Sequence, residues 1–147
     1  MKDDNPSTPA PPVREHTGDY RWRGVDVLQY KREGSAPFKD VTRQVLFGDP
    51  SFPAQLRYFE VAPGGWTTLE RHEHVHSVMV IRGRGRCLVG DRSFDLALHD
   101  LVSVPPLTWH QFHAAPDEPL GFLCMVATDR DRPQLPTPED LARLQGQ

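Results

Sequence analysis

The stretch Glu70-Arg71-His72-Glu73-His74-Val75-His76 places four potential metal ligands at alternate positions. On an extended strand, alternate side chains share one face. Neutral imidazole binds Zn, Mn, Fe, Ni and Cu, and a carboxylate oxygen suits several of the same ions. The spacing therefore allows a cluster built on His72 and His76, with either Glu70 or His74 beside them. A second histidine segment runs from Asp100 to His113, through Pro105-Pro106 to His110. There an apolar strand ends in a Pro-Pro turn, and His110 opens the next strand. Only a sheet that closes on itself brings His110 back to the first cluster. His113 lies three residues further on and faces the opposite side. His16 falls in a polar arm where solvation is the expectation.

Other reactive groups are fewer. Cys124 shares a strand face with Phe122 and Val126, and a free Cys so placed behaves as a small buried hydrophobe unless a nearby cation or metal activates it. Cys87 lies on another strand without such company. Of the many arginines, Arg43 and Arg57 fall on expected barrel strands, where a guanidinium turned inward would hold a phosphate or carboxylate bidentately. Phe112 follows the parity of His110 and Val78 and Val80 that of His76, giving an apolar lining around polar groups, as in a small-molecule pocket. A structural zinc site is closed and usually recruits Cys. Neither histidine segment contains one, so an open site is expected.

Short strands must position these groups. Apolar runs at 25–30, 42–47, 55–61, 67–71, 77–82, 84–89, 93–96, 101–104, 108–113 and 120–127 are separated by turn signals such as Gly48-Asp49-Pro50, Pro63-Gly64-Gly65 and Gly90-Asp91. This pattern predicts an all-β sandwich or barrel. One helix is expected at the C-terminal end, where Thr137-Pro138-Glu139-Asp140 supplies an N-cap, a first-turn Pro and two acids. Leu141 and Leu144 would form its apolar face. Residues 1–17, with Pro6, Pro9, Pro11 and Pro12, read as a flexible arm, and 18–147 as one domain.

Composition narrows the function classes. The chain has 147 residues, 37% hydrophobic and 25% charged, with a net charge of −3. Without a basic block, no nucleic-acid or anionic-membrane surface is expected. No apolar run approaches the ~20 residues of a bilayer-spanning helix. The N-terminus lacks the basic start and apolar stretch of a secretory signal, so the cytoplasm is the expected compartment, with both cysteines as free thiols.

The two histidine segments resemble the motifs of the cupin superfamily. Gly65, Glu70-Arg71-His72, His76 and Gly83 match the first motif, and Asp100, Pro105 and His110 the second. The similarity runs from about Thr42 to Ala127 and is greatest to small single-domain cupins. Their last strand carries a Phe-Leu-Cys matched by Phe122-Leu123-Cys124. The resemblance implies a double-stranded β-helix, or jelly-roll, barrel. It assigns Glu70, His72, His76 and His110 to the metal and His74 to a turn near the rim. It implies a divalent ion, Mn²⁺ first, with Fe²⁺, Co²⁺ or Ni²⁺ as alternatives. It places Cys124 inside the barrel near the metal. Departures exist: Glu70 stands for a histidine, His99 and Leu107 for small-turn glycines, Ala97 for a proline and Ala114 for an asparagine. His99 is tolerable because histidine visits left-handed backbone angles more than most residues.

The activity implied is metal-dependent chemistry on a small polar metabolite. The specific resemblance is to thiol-dependent cleavage of a carbon–sulfur bond in a sugar phosphate, with Cys124 as nucleophile and a low-molecular-weight thiol as co-reactant. An Fe-dependent dioxygenase, a sugar isomerase and a non-catalytic ligand-binding cupin are the competing expectations. A sensor would be joined to a DNA-binding domain, which these residues lack, so an enzyme is favoured. Small cupins usually pair, and a homodimer is expected, with the Tyr20 and Trp22 region at the contact.

Overall fold

The computed structural model describes residues 11–32, 34 and 36–145. Most of the expected N-terminal arm, residues 1–10, lies outside them. The first described elements are the strands β1 (His16–Gly18) and β2 (Arg21–Trp22), which form a hairpin. Its turn places Asp19 and Tyr20 at φ 52° and 54°. Tyr20 stacks on Tyr58 at 5.6 Å, Trp22 packs on the same ring at 5.3 Å, and the Tyr20 hydroxyl donates to the Ile81 carbonyl. Both aromatic side chains thus pack on the outer sheet face of their own chain.

The remaining strands are β3 (Leu28–Gln29), β4 (Lys39–Phe47), β5 (Ala54–Trp66), β6 (His76–Gly83), β7 (Gly85–Val89), β8 (Arg92–Leu96), β9 (Leu101–Val104), β10 (His110–Ala114) and β11 (Leu120–Ala127). Among the described residues they form one nine-stranded antiparallel sheet, ordered β8-β7-β10-β5-β11-β6-β9, with β4 also on β5 and β3 on β4. This is the all-β barrel expected. β5 is the hinge of the architecture. Its first part pairs with β4 and β11, while Trp66 at its end pairs with His113 of β10. The Pro63-Gly64-Gly65 signal therefore marks a bend within one strand rather than its end.

Inward side chains interdigitate as the parity rule requires. Val41, Phe59, Val61, Val78, Val80, Val104, Phe112, Leu120, Phe122 and Val126 form one buried cluster. Phe122 stacks between Phe59 and Phe112, at 5.6 and 4.7 Å between ring centroids. Helix α1 (Pro138–Gln145) starts where expected. The Asp140 N–H donates to Thr137 Oγ1, and the Thr137 N–H donates to Asp140 Oδ2, a reciprocal cap. Asp140 is buried and Leu141 exposed, so of the expected apolar pair only Leu144 is partly buried, in a groove it lines with Trp109.

Two further expectations are modified. The run at 25–30 contributes only Leu28–Gln29, and 67–71 forms isolated bridges instead of a regular strand. His99 and Leu107 do adopt left-handed backbone, at φ 72° and 51°. Gly83 has φ 68°, and a Cβ there would collide with the Pro119 carbonyl. Gly90 has a similar φ of 67°, but its Cβ would meet only Thr108 Cγ2 at 3.8 Å. Gly83→Ala is therefore expected to destabilise by roughly 2–4 kcal/mol, combining backbone strain with overpacking. Gly90→Ala is expected to cost only about 1 kcal/mol, from the backbone alone. Urea midpoints of the two variants test that order.

Candidate metal centre

Pairing between the two histidine segments builds the site. The Glu70 N–H donates to the His110 carbonyl at 3.2 Å and the His110 N–H to the Glu70 carbonyl at 3.0 Å. On one side of this bridge the Thr67 N–H donates to the Phe112 carbonyl. On the other, the Leu107 N–H donates to the His72 carbonyl at 2.7 Å. The left-handed Leu107 thus completes the turn that presents His110. His76 enters on β6, where its neighbour across β11 is Val126.

The ligand atoms of His72, His76 and His110 all lie within 4.8 Å of one another. The other ring nitrogens are engaged. His72 Nδ1 meets the His74 carbonyl at 2.7 Å, and His110 Nδ1 meets the Thr108 carbonyl at 2.9 Å. Such contacts fix the tautomer that leaves Nε2 for a ligand. His76 Nε2 is buried without a hydrogen-bond partner. An orphaned buried nitrogen facing two further imidazoles fits a divalent ion, and this donor set suits the transition metals.

Glu70 and His74 line the same cavity but are differently engaged. Glu70 is 7% exposed, and its Oε2 accepts from Lys31 Nζ at 2.7 Å. His74 stacks on His72 at 3.7 Å, and its Nδ1 pairs with Asp131 Oδ1 at 2.7 Å. The three-nitrogen group includes neither residue. His113 lies on the other face of β10, beside Trp66.

The cavity measures about 770 Å³. Cys124 and Phe112 line it, as do Arg43 and Arg57. Cys124 is 1% exposed, and its Sγ lies 3.4 Å from His76 Nδ1. A metal on Nε2 would leave the proton of that imidazole on Nδ1, the nitrogen that faces the sulfur. Arg57 pairs with Cys124 across β5 and β11, and its guanidinium lies over Phe59 at 4.9 Å. Its Nε is buried without a partner, as is Thr68 Oγ1 in the same cavity. Burial pushes the Cys124 thiol up, and the Arg57 guanidinium opposes that shift. Arg43 lies nearer β3, with Nε donating to the Gln29 and Tyr30 carbonyls. Burial pushes the Cys87 thiol up to about 11, away from this cavity.

Lys31, Arg130 and Asp131, which no sequence motif singles out, also line the cavity. The charged run Asp129-Arg130-Asp131-Arg132 is visible in the sequence, but nothing in its spacing ties it to His74. Lys31 comes from the segment after β3.

Residues 57–126 match the family described as the cupin domain. The barrel is similar to a cupin 2 conserved barrel domain protein from Rhodopseudomonas palustris, with TM-score 0.86 and 56% identity over 92% of this chain and 93% of that one. It is also similar to a cupin-2 domain from Rhodospirillum rubrum, with TM-score 0.83 and 55% identity over 93% and 92% of the two chains. The chain belongs to the cupin superfamily. Within it, the chain is similar to the 1-methylthio-D-xylulose 5-phosphate methylsulfurylase of Rhodospirillum rubrum. Identity is 56% over 144 residues, 98% of this chain and 90% of the relative.

Burial lowers the pKa of both His76 and His110 from the ordinary imidazole value. On acidification the unfolded chain takes up these protons first. The stability they contribute is fully present above pH ~6.5, the unfolded value, and falls as pH drops toward their folded values. For chelator-treated protein, the urea midpoint should therefore be flat just above pH 6.5 and decline from there to pH 5. A midpoint rising over that acidic interval would contradict the reading.

Proposed function

We propose that this chain is a metal-dependent cupin enzyme that cleaves the carbon–sulfur bond of 1-methylthio-D-xylulose 5-phosphate, releasing 1-deoxy-D-xylulose 5-phosphate. One observation carries the reading: Cys124 Sγ stands 3.4 Å from the nitrogen of His76 opposite the one turned to the metal position. A nucleophile and a Lewis-acid site thus share one cavity, one imidazole apart. The 56% identity to the methylsulfurylase supports the particular substrate.

His72, His76 and His110 would hold the ion, with Glu70 as fourth ligand. Mn²⁺ is the first choice, and Fe²⁺, Co²⁺ or Ni²⁺ fit the same donors. When bound, the ion supplies Lewis-acid stabilisation to the ketose carbonyl oxygen as negative charge develops there. The chain's residues do the rest. The Nδ1–H of His76 and the Arg57 guanidinium stabilise the thiolate form of Cys124 against the burial that favours the thiol. The thiolate attacks the sulfur of the methylthio group. The sulfur–C1 electron pair passes to C1, giving the enolate, while sulfur is oxidised to the disulfide level as Cys124–S–S–CH₃. Protonation at C1 gives the 1-deoxy ketose. A low-molecular-weight thiol such as glutathione then attacks the methyl disulfide. It leaves as the mixed methyl disulfide and restores Cys124. Arg43 or Arg57 holds the phosphate from the cavity wall, and Phe112 packs against the carbon chain. The setting is the cytoplasm, where reduced thiols abound, and a route that salvages methylthio sulfur from methionine metabolism. The working assembly is a homodimer.

Cys124→Ser is expected to keep its metal and bind the sugar phosphate yet lose turnover by at least about a thousandfold, because a hydroxyl is a poor nucleophile toward sulfur. His110→Ala is expected to lose tight metal binding, read by elemental analysis after dialysis. A Cys124→Ser enzyme of full activity would move the reading to Lewis-acid isomerisation or oxygen chemistry, and aerobic against anaerobic assays would separate those two.

A further inference from the structure

The segment after β11 supplies none of the groups in the proposed chemistry, yet it grips the loop that carries two of the three histidines. Asp131 Oδ2 accepts the Glu73 N–H at 2.8 Å. Its Oδ1 accepts the His74 N–H at 3.1 Å and meets the His74 ring at Nδ1, 2.7 Å away. His74 transmits this hold to His72 in two ways. Its carbonyl takes the Nδ1 contact of His72 at 2.7 Å, and its ring stacks on the His72 ring, 3° from parallel with centroids 3.7 Å apart. A second tie lies on the far side of His72, where Arg71 and Gln134 exchange both backbone bonds, at 3.1 and 2.8 Å. The Gln134 side chain also accepts from Arg71 Nε.

We infer that Asp131 is a positioning residue for the metal centre, acting through His74 to fix the ring angle and tautomer of His72. The carboxylate satisfies two backbone donors in the turn between His72 and His76, so the turn closes in one conformation. The His74 carbonyl is then aimed at His72 Nδ1, and the only His72 nitrogen left for a ligand is Nε2. Groups that orient a metal-binding histidine from behind commonly set affinity as strongly as a ligand's own geometry does. Without Asp131, the N–H groups of Glu73 and His74 lose their acceptor and His74 loses the partner that holds its ring over His72. The role assigns a function to His74 that is neither ligation nor simple solvation.

The inference rests on the reading that the three histidines hold a divalent ion, and the experiment keeps the two separable. Full-length wild type, Asp131→Ala, Asp131→Asn, Gln134→Ala and His110→Ala are loaded with Co²⁺. For each, Co²⁺ affinity is measured by chelator competition, the visible spectrum of the bound ion is recorded, and the urea midpoint is taken without metal. Asp131→Ala should bind Co²⁺ roughly 10–100-fold more weakly, with an altered spectrum. Asp131→Asn, which keeps an acceptor oxygen, should fall between it and wild type. Gln134→Ala, which loosens the same segment without touching His74, should retain wild-type affinity and spectrum. Wild-type affinity and spectrum in Asp131→Ala, with His110→Ala defective, would overturn the role of Asp131 alone. Equal losses in Asp131→Ala and Gln134→Ala that track their urea midpoints would overturn it in favour of a structural role. Wild-type affinity in His110→Ala would overturn the metal reading and this inference with it.

Discussion

The reciprocal hydrogen bonds between Glu70 and His110 are the contact on which the site depends. They join two segments far apart in the chain, one leading out of β5 and the other into β10. Neither segment can place a histidine beside the other's until the sheet has curled far enough for this pairing to form. The bend of β5 at Gly64-Gly65 and the left-handed turn at Leu107 are what the curl requires locally. The stacked Phe59, Phe122 and Phe112 rings fill the space that the curl encloses. Barrel closure and site assembly are therefore one event, and local damage to either segment should reach the metal position.

Enclosure has an electrostatic cost that explains the site's details. Imidazoles packed this closely and buried cannot all be protonated, so burial keeps His76 and His110 neutral. Neutral rings are the form that binds metal. Carbonyls of His74 and Thr108 take the Nδ1 protons of His72 and His110, while His76 turns its Nδ1 to Cys124. One histidine is thus oriented by a thiol where its neighbours are oriented by backbone. The proposed chemistry uses this asymmetry, because Cys124 and the metal position would share a single ring.

Much of this was legible in the residues. His72, His76 and His110 stand at positions where the chemistry of the side chain and the period of the strand agree, and inward parity places Val78, Val80 and Phe112 correctly. The left-handed turns at His99 and Leu107 could be anticipated only from where the motif's glycines belong, not from the residues themselves. The β1–β2 hairpin escaped notice because Asp19 and Tyr20 carry its positive φ angles without the usual glycines in the turn. Lys31 and Asp131 escaped for a different reason. Their partners, Glu70 and His74, are 39 and 57 residues away, and a single acid or base in a charged run carries no period that points across such a distance. The strand expected at 67–71 reduces to the isolated bridges Glu70–His110 and Arg71–Gln134.

In the proposed chemistry one cavity joins a divalent ion to a nucleophilic Cys124. Its most direct test is a single-turnover measurement on metal-loaded wild type, mixed with 1-methylthio-D-xylulose 5-phosphate without added thiol and quenched for peptide mass spectrometry. About one equivalent of 1-deoxy-D-xylulose 5-phosphate per chain is expected, with one methylthio group on Cys124, none on Cys87, and further turnover only after glutathione is added. Sustained turnover without thiol, with Cys124 unmodified throughout, would contradict it.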